Sequence, residues 1–380
     1  MNTTQQNGAL AFRRIVVKAG TNVLTGRTER LDRAMLASLA AQTSQARAAG
    51  AQAVLVTSGA IAAGREALAA RSPERGVLER QVLAAVGQGL LMHAYQEAFA
   101  AHGAAVGQAL LTHHDVEDRQ GYLNVRNTLE GLLSAGVVPI VNENDVVDTA
   151  EIGQERFGDN DTLSSLVANL IDADLLLMLT DSGGLFTADP HRDPNARLVE
   201  RVDAVDDAVL ALAQPTPNGA GRGGMLSKLL AARRATAAGV SVVMAGGRVP
   251  DVVTRAARGD SVGTLFPARG SPMESRKRWL LSGLAESGGE LVVDEGAVTA
   301  LRKRHGSLLP AGLRKVKGAF RRGDVVAVVS ESGERVACGI VSYDNEDLAA
   351  ISGARSSEIP LRLGHHYGDE AVHRNNMVVL

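Results

Sequence analysis

Short apolar runs alternate with helix-length segments along most of this chain. Residues 14–18 form an apolar run that ends in Lys18, just before Gly20, and predict a buried strand. Residues 31–49 carry apolar positions at helical period and stop at Gly50, a good helix terminator. Residues 53–56 predict a second buried strand, followed by Thr57, Ser58, Gly59 and a new helix. Residues 79–102 predict a long amphipathic helix. Residues 137–141 predict a further strand, whose Pro139 points to an edge or irregular position. Residues 161–171 and 225–238 read as helices, and residues 175–179 and 240–244 as strands.

Continuous apolar strands alternating with helices predict a largely parallel sheet covered on both faces, hence an α/β fold. In such sheets ligands sit beyond the carboxyl ends of the strands. The residues in those places are Lys18 and Gly20, Ser58 and Gly59, Asn142 to Asp145, Thr180 to Gly184, and Gly246 with Gly247. Small, polar and glycine residues therefore cluster where a ligand belongs. The pattern changes near residue 268. We divide the chain into a loose tail (1–10), an α/β domain (11–268), a linker (269–288) and a compact β-rich domain (289–380) with short strands and frequent turns.

Composition narrows the function more by exclusion than by assertion. The 380 residues carry 40 Lys+Arg against 42 Asp+Glu, so no global charge calls for nucleic acid or membrane. Within residues 270–380, 15 Lys+Arg face 14 Asp+Glu; Arg276 to Arg278 and Arg302 to His305 read as solvated charge, and RNA is not an expected partner. Cys338 is the single cysteine, so no intrachain disulfide forms, which fits a reducing cytoplasm. No apolar run approaches the roughly 18 residues of a membrane span, and the polar start lacks signal-peptide character. The pairs His113–His114 and His365–His366 are poorly spaced for one metal, and no protein metal site is assigned.

Several residues carry candidate chemistry, each with a plainer alternative. Lys18 ends a buried strand beside a glycine turn, well placed to meet a phosphoryl group, or simply a solvated strand end. Arg222, Gly223, Gly224, Met225, Leu226, Ser227 and Lys228 run from glycines into a helix. That can be an anion site or a surface loop. The G-x-G-x-x-G match at Gly219, Gly221 and Gly224 follows a loop, not a strand, so it is no dinucleotide fingerprint. Asp145, Asp159, Asn160 and Asp161 form an acidic, amide-rich set; Asp161 alone could be a helix cap.

Taken together in order, residues 16–22, 57–61, 142–145, 158–161, 179–181 and 223–225 resemble the amino acid kinase superfamily, and residues 306–312 resemble a PUA domain. The resemblance implies an open αβα sandwich plus a small C-terminal PUA-like domain. Within the superfamily it points to the branch that phosphorylates the side-chain carboxylate of L-glutamate with ATP and Mg²⁺, the first step of proline biosynthesis. It implies that Lys18 and Lys228 contact phosphates and stabilise the transition state, with Asp161 orienting them. Ser58, Asp145 and Asn160 would bind glutamate. Lys18, Thr180, Asp181 and residues 222–228 would bind ATP. It further implies L-proline as feedback inhibitor, a homo-oligomer, and a downstream glutamyl-phosphate reductase. Alternatives are a related kinase acting on aspartate or an acetylated glutamate, and an RNA-binding protein with a retired kinase core. The chain departs from the family pattern at Ala19, Asn22, Arg222 and Ser227 and in a longer 151–157 loop.

Overall fold

The computed structural model describes residues 9–68, 76–147, 159–190, 193–213, 224–270, 288–304 and 306–380. Chain contacts divide it into two compact units, Met1–Asp115 with Arg126–Pro272, and Val116–Val125 with Met273–Leu380. Unlike the continuous division expected from the sequence, residues 116–125 group with the second unit, and the break falls after Pro272.

The first unit is built on a seven-stranded sheet. Its strands are β1 (Arg14–Ala19), β2 (Gln52–Thr57), β3 (Val106–Leu111), β4 (Val138–Glu143), β5 (Leu175–Thr180), β6 (Ser241–Gly246) and β7 (Thr264–Phe266), in the spatial order β3-β4-β2-β1-β5-β6-β7. All neighbours are parallel except the β6–β7 pair. The central strands are apolar and buried along nearly their whole length, as a sheet covered on both faces requires. On one face Ile15, Val17, Ala53, Leu55, Leu175 and Leu177 join a core with the helices Arg33–Ala48, Val77–Ala100 and Val252–Arg258. Side chains alternate across a strand, so Val16 and Lys18 point to the other face. There the helix Asp159–Leu170 packs on β1 and on the helix Met225–Ala237. That alternation brings Lys18 to Asp161.

One sequence expectation needs correction. Pro139 lies in an interior strand, not at an edge: β4 sits between β3 and β2. The Val138 N–H donates to Ala105 O on the β3 side. The next residue, Pro139, therefore faces β2, and the β2 ladder starts only at Ile140, so the missing N–H costs no ladder bond. The edge on this side of the sheet is β3, which the apolar pattern does not mark. Its sequence VGQALL contains Gly107 and Gln108 and is only partly buried.

The second unit holds a five-stranded sheet of β8 (Glu290–Val293), β9 (Leu313–Lys317), β10 (Val325–Ser330), β11 (Arg335–Ile340) and β12 (Met377–Val379), ordered β12-β11-β10-β8-β9. All its pairs are antiparallel except β10 with β8. Leu291, Val293, Val326, Val328 and Tyr343 belong to its core. A smaller cluster joins Leu123 of the 116–125 segment to Val325, Cys338, Ile340 and Val378. The lone cysteine is thus a buried core side chain. No helix among the described residues is long and apolar enough to cross a membrane.

Candidate active site

The carboxyl ends of β1, β2, β4 and β5 open into one cleft of about 510 Å³. Eight of the residues singled out in the sequence line it: Lys18, Ser58, Asp145, Asn160, Asp161, Thr180, Asp181 and Lys228. They arrive from six separate elements and loops, and the shared carboxyl edge of the parallel sheet collects them.

At the centre is an ion cluster. The Lys18 ammonium donates to Asp161 Oδ1 at 2.5 Å, and the Lys228 ammonium to Oδ2 at 3.2 Å. Ser227 Oγ lies 2.7 Å from the same Oδ2. The side chains of Lys18, Asp161 and Lys228 are 7%, 1% and 14% exposed. Asp161 is not the cap of its helix; it is the third residue, and its carboxylate points at the two lysines. Burial alone would raise its pKa, but the two ammonium groups and the Lys18 and Ser227 hydrogen bonds outweigh that and hold the carboxyl below its usual range. Burial lowers the Lys18 pKa, and the nearby Lys228 charge adds to this, against the opposing pull of Asp161. Glycine at position 20 leaves room beside the ammonium: a Cβ there would lie 3.1 Å from Lys18 Nζ, a tight contact.

Toward β2 and β4 the cleft is lined by amide and hydroxyl groups. Asn160 Nδ2 donates to Ser58 Oγ at 3.0 Å. Asn142 Nδ2 donates to Gln88 Oε1 at 2.8 Å, which fixes the amide's orientation. The other ends of both amides, Asn142 Oδ1 and Asn160 Oδ1, are buried with no hydrogen-bond donor among the described residues. Buried acceptors of that kind are costly unless a ligand supplies the proton. Asn142 stands in the sequence at a strand end where a ligand belongs, yet was given no role of its own; the order of residues carries no sign of which amide end is left open.

Toward β5 and β6 the surroundings change. Thr180 is buried, and its Oγ1 accepts the Gly183 N–H at 3.0 Å. Asp181 accepts from Arg27 at 2.9 Å and from Asn22 at 3.3 Å. A second hollow of about 620 Å³ continues here, lined by Asp181, Ser182, Gly183, Gly246, Gly247 and Arg248 among others. Gly247 needs to be glycine because a Cβ would lie 2.5 Å from Val23 Cγ1. Gly224 is the N-cap of the helix Met225–Ala237 and provides no side-chain cap, so Met225, Leu226 and Ser227 form a first turn with open amides. Arg222 and Gly223 lie outside the described residues, as does the 151–157 loop.

Comparison with known proteins agrees with this architecture. Residues 13–246 match the Amino acid kinase family, and residues 289–361 match the PUA domain. The chain is 46% identical to a protein named Glutamate 5-kinase from Dehalococcoides mccartyi, over 97% of this chain and 99% of the relative. It is 48% identical to one of the same name from Shewanella amazonensis, over 100% of this chain and 98% of the relative. A third, from Shigella flexneri, is 47% identical over 96% of this chain and 98% of the relative. With its parallel sheet, its lysine–aspartate–lysine cluster and these matches, the chain belongs to the amino acid kinase family and carries a C-terminal PUA domain.

Proposed function

We propose that the chain transfers the γ-phosphoryl group of ATP to the side-chain carboxylate of L-glutamate, giving L-glutamyl 5-phosphate and ADP, the entry to proline synthesis. The observation that carries this reading is the pair of ammonium groups locked on one buried carboxylate at the centre of the cleft. A glutamate side chain, with a pKa of about 4.3, is already ionised at neutral pH, so the acceptor needs no general base. The obstacle is bringing two anions together and holding the charge that spreads over the phosphoryl oxygens in the transition state. Lys18 and Lys228 supply that charge from fixed positions. Asp161 is a positioning residue: both its oxygens are engaged and its pKa is depressed, so it is a poor proton acceptor.

In the reaction a carboxylate oxygen of glutamate bonds to the γ-phosphorus while the bond from that phosphorus to the β,γ-bridging oxygen breaks. ADP leaves with the electron pair. Ser58, Asp145 and Asn160 hold the amino acid; Thr180, Asp181 and residues 222–228 hold ATP. Mg²⁺ is assigned to the nucleotide's phosphates. It commonly binds through phosphates and few carboxylates, Asp161 is already engaged, and no cluster of three metal-ligating side chains occurs among the described residues. The ion would neutralise phosphate charge there. Free L-proline, which shares glutamate's α-carboxylate and cationic nitrogen but has no side-chain carboxylate to phosphorylate, is assigned as a competitive inhibitor. The proposal extends, on the family resemblance, to a homo-oligomer that works in the cytoplasm and passes its acyl phosphate to a reductase.

The test is ADP release with ATP and, in parallel, L-glutamate, L-aspartate and N-acetyl-L-glutamate. Turnover with glutamate alone is expected. Faster turnover with either other acid would replace the substrate while leaving the reaction type.

A further inference from the structure

The acceptor end of the cleft holds a cation that the mechanism leaves unused. Arg80 lies in the first turns of the helix Val77–Ala100, half-buried, and lines the cleft with Ser58, Asn142 and Asp145. The other cations of the cleft are engaged: Lys18 and Lys228 on Asp161, and Arg65 with Glu29 at 3.9 Å. Among the described residues the Arg80 guanidinium has no hydrogen bond or ion pair. A half-buried guanidinium without a counter-ion is unfavourable, and its planar fork of donors matches a carboxylate or a phosphate.

Position decides between those two anions. Along the sheet the order is β4, β2, β1, β5, with Lys18 on β1. Neighbouring strands are about 4.8 Å apart, so β4 and β5 stand roughly 14 Å from each other. The hollow with Asp181, Gly183 and Gly247 lies on the β5–β6 side. Arg80 lies on the other: its neighbour Gln81 donates from Nε2 to Val146 O at 3.0 Å, just past the end of β4. The phosphoryl-transfer cations stand between them. In the same cleft, the donor-less Asn142 Oδ1 and Asn160 Oδ1 await a hydrogen-bond donor. A carboxylate seeker beside acceptors that lack a donor matches a zwitterionic α-amino acid head.

We propose that Arg80 binds the α-carboxylate of the amino-acid acceptor and sets the preference for it over acids lacking that group. This rests on the glutamate-kinase reading above. The experiment compares L-glutamate with 4-aminobutyrate, which keeps the amine and the reacting carboxylate but has no α-carboxylate. Wild type, Arg80→Gln and Arg80→Lys are assayed with each compound as substrate, and with 4-aminobutyrate as competitive inhibitor. Arg80→Gln is expected to raise the glutamate KM about 10- to 100-fold, the usual loss for a charged hydrogen-bonding group. The ATP KM and the constants for 4-aminobutyrate should stay within about threefold, and Arg80→Lys should restore part of the glutamate affinity. An unchanged glutamate KM in folded Arg80→Gln would overturn the assignment. So would equal losses with both compounds, which would mark Arg80 as structural. If wild type does not phosphorylate glutamate at all, the functional reading fails, and this inference with it.

Discussion

At the scale of single residues, the site depends on one carboxylate shared by two ammonium groups. Removing either cation, by Lys18→Ala or Lys228→Ala, is expected to lower kcat by on the order of 10²–10³ with the fold retained, as for other charge-stabilising groups. Steady-state rates on variants with normal circular dichroism check this. The pH dependence has a definite sign. Burial lowers the Lys18 pKa, so the working ammonium is lost as pH rises, below the ordinary lysine value of about 10.4. The kcat/KM for ATP, which reports the free enzyme, should therefore fall on its alkaline side before that value. Asp161 acts at the other end. Its depressed pKa contributes stability that is fully present above the unfolded value of about 3.9 and lost as pH falls through the folded value. Asp161→Asn should remove that part of the acid limb in urea titrations. It should also destabilise the fold by about 3–5 kcal/mol, because two buried cations lose their counter-ion. Much of this was legible in the sequence. Lys18, Asp161 and Lys228 each sit at a strand end or a helix start. What the sequence could not give is the sharing: that Asp161 is no cap but the hub depends on a contact between residues 143 positions apart.

At the scale of elements, the strands that end at the cleft were mostly readable, because buried parallel strands are written as unbroken apolar runs. Edge strand β3 was not, since an edge needs no such run, and Pro139 misled because its donor is missing where no ladder bond forms. The packing of the helices Ala60–Leu68 and Val77–Ala100 was also silent in the sequence. They cross so closely that a Cβ on Gly64 would lie 1.9 Å from Leu83 O, and one on Gly87 1.8 Å from Ala60 O. No rotamer change can relieve contacts with backbone. Gly87→Ala must push the helices apart, at an expected cost of about 1–3 kcal/mol. The first of these helices follows directly on Ser58 and Gly59, and the second carries Arg80 and Gln88. Displacing them should raise the glutamate KM more than the ATP KM. Thermal melts together with both KM values test this; an unchanged melting temperature would show that the helices tolerate the methyl.

At the scale of the whole molecule, every residue given a role in catalysis precedes residue 229, which leaves the PUA domain without an assigned chemical task. A chain ending near Arg269 should accordingly keep glutamate-dependent ADP release. It would, however, strip residues 116–125 of the rest of their unit and leave Leu123, fully buried in the complete chain, without Val325, Cys338, Ile340 and Val378. A lower melting temperature and poorer solubility are therefore expected, with partial recovery on Leu123→Ser. A folded, soluble truncation with no activity would show that the C-terminal unit takes part in catalysis. That coupling of residues 116–125 to the far end of the chain was not legible in the sequence, where Leu123 lies outside the segments read as strands or helices.

The central claim is that a carboxylate of glutamate, and not water or another acceptor, takes the phosphoryl group. It is tested most directly by running the reaction with ATP, Mg²⁺ and L-glutamate in the presence of hydroxylamine, which converts acyl phosphates to hydroxamates, and identifying the product by mass spectrometry. The account predicts γ-glutamyl hydroxamate in step with ADP for the wild type, and loss of both signals together in Lys18→Ala. ADP formed from ATP and glutamate without any hydroxamate would contradict it.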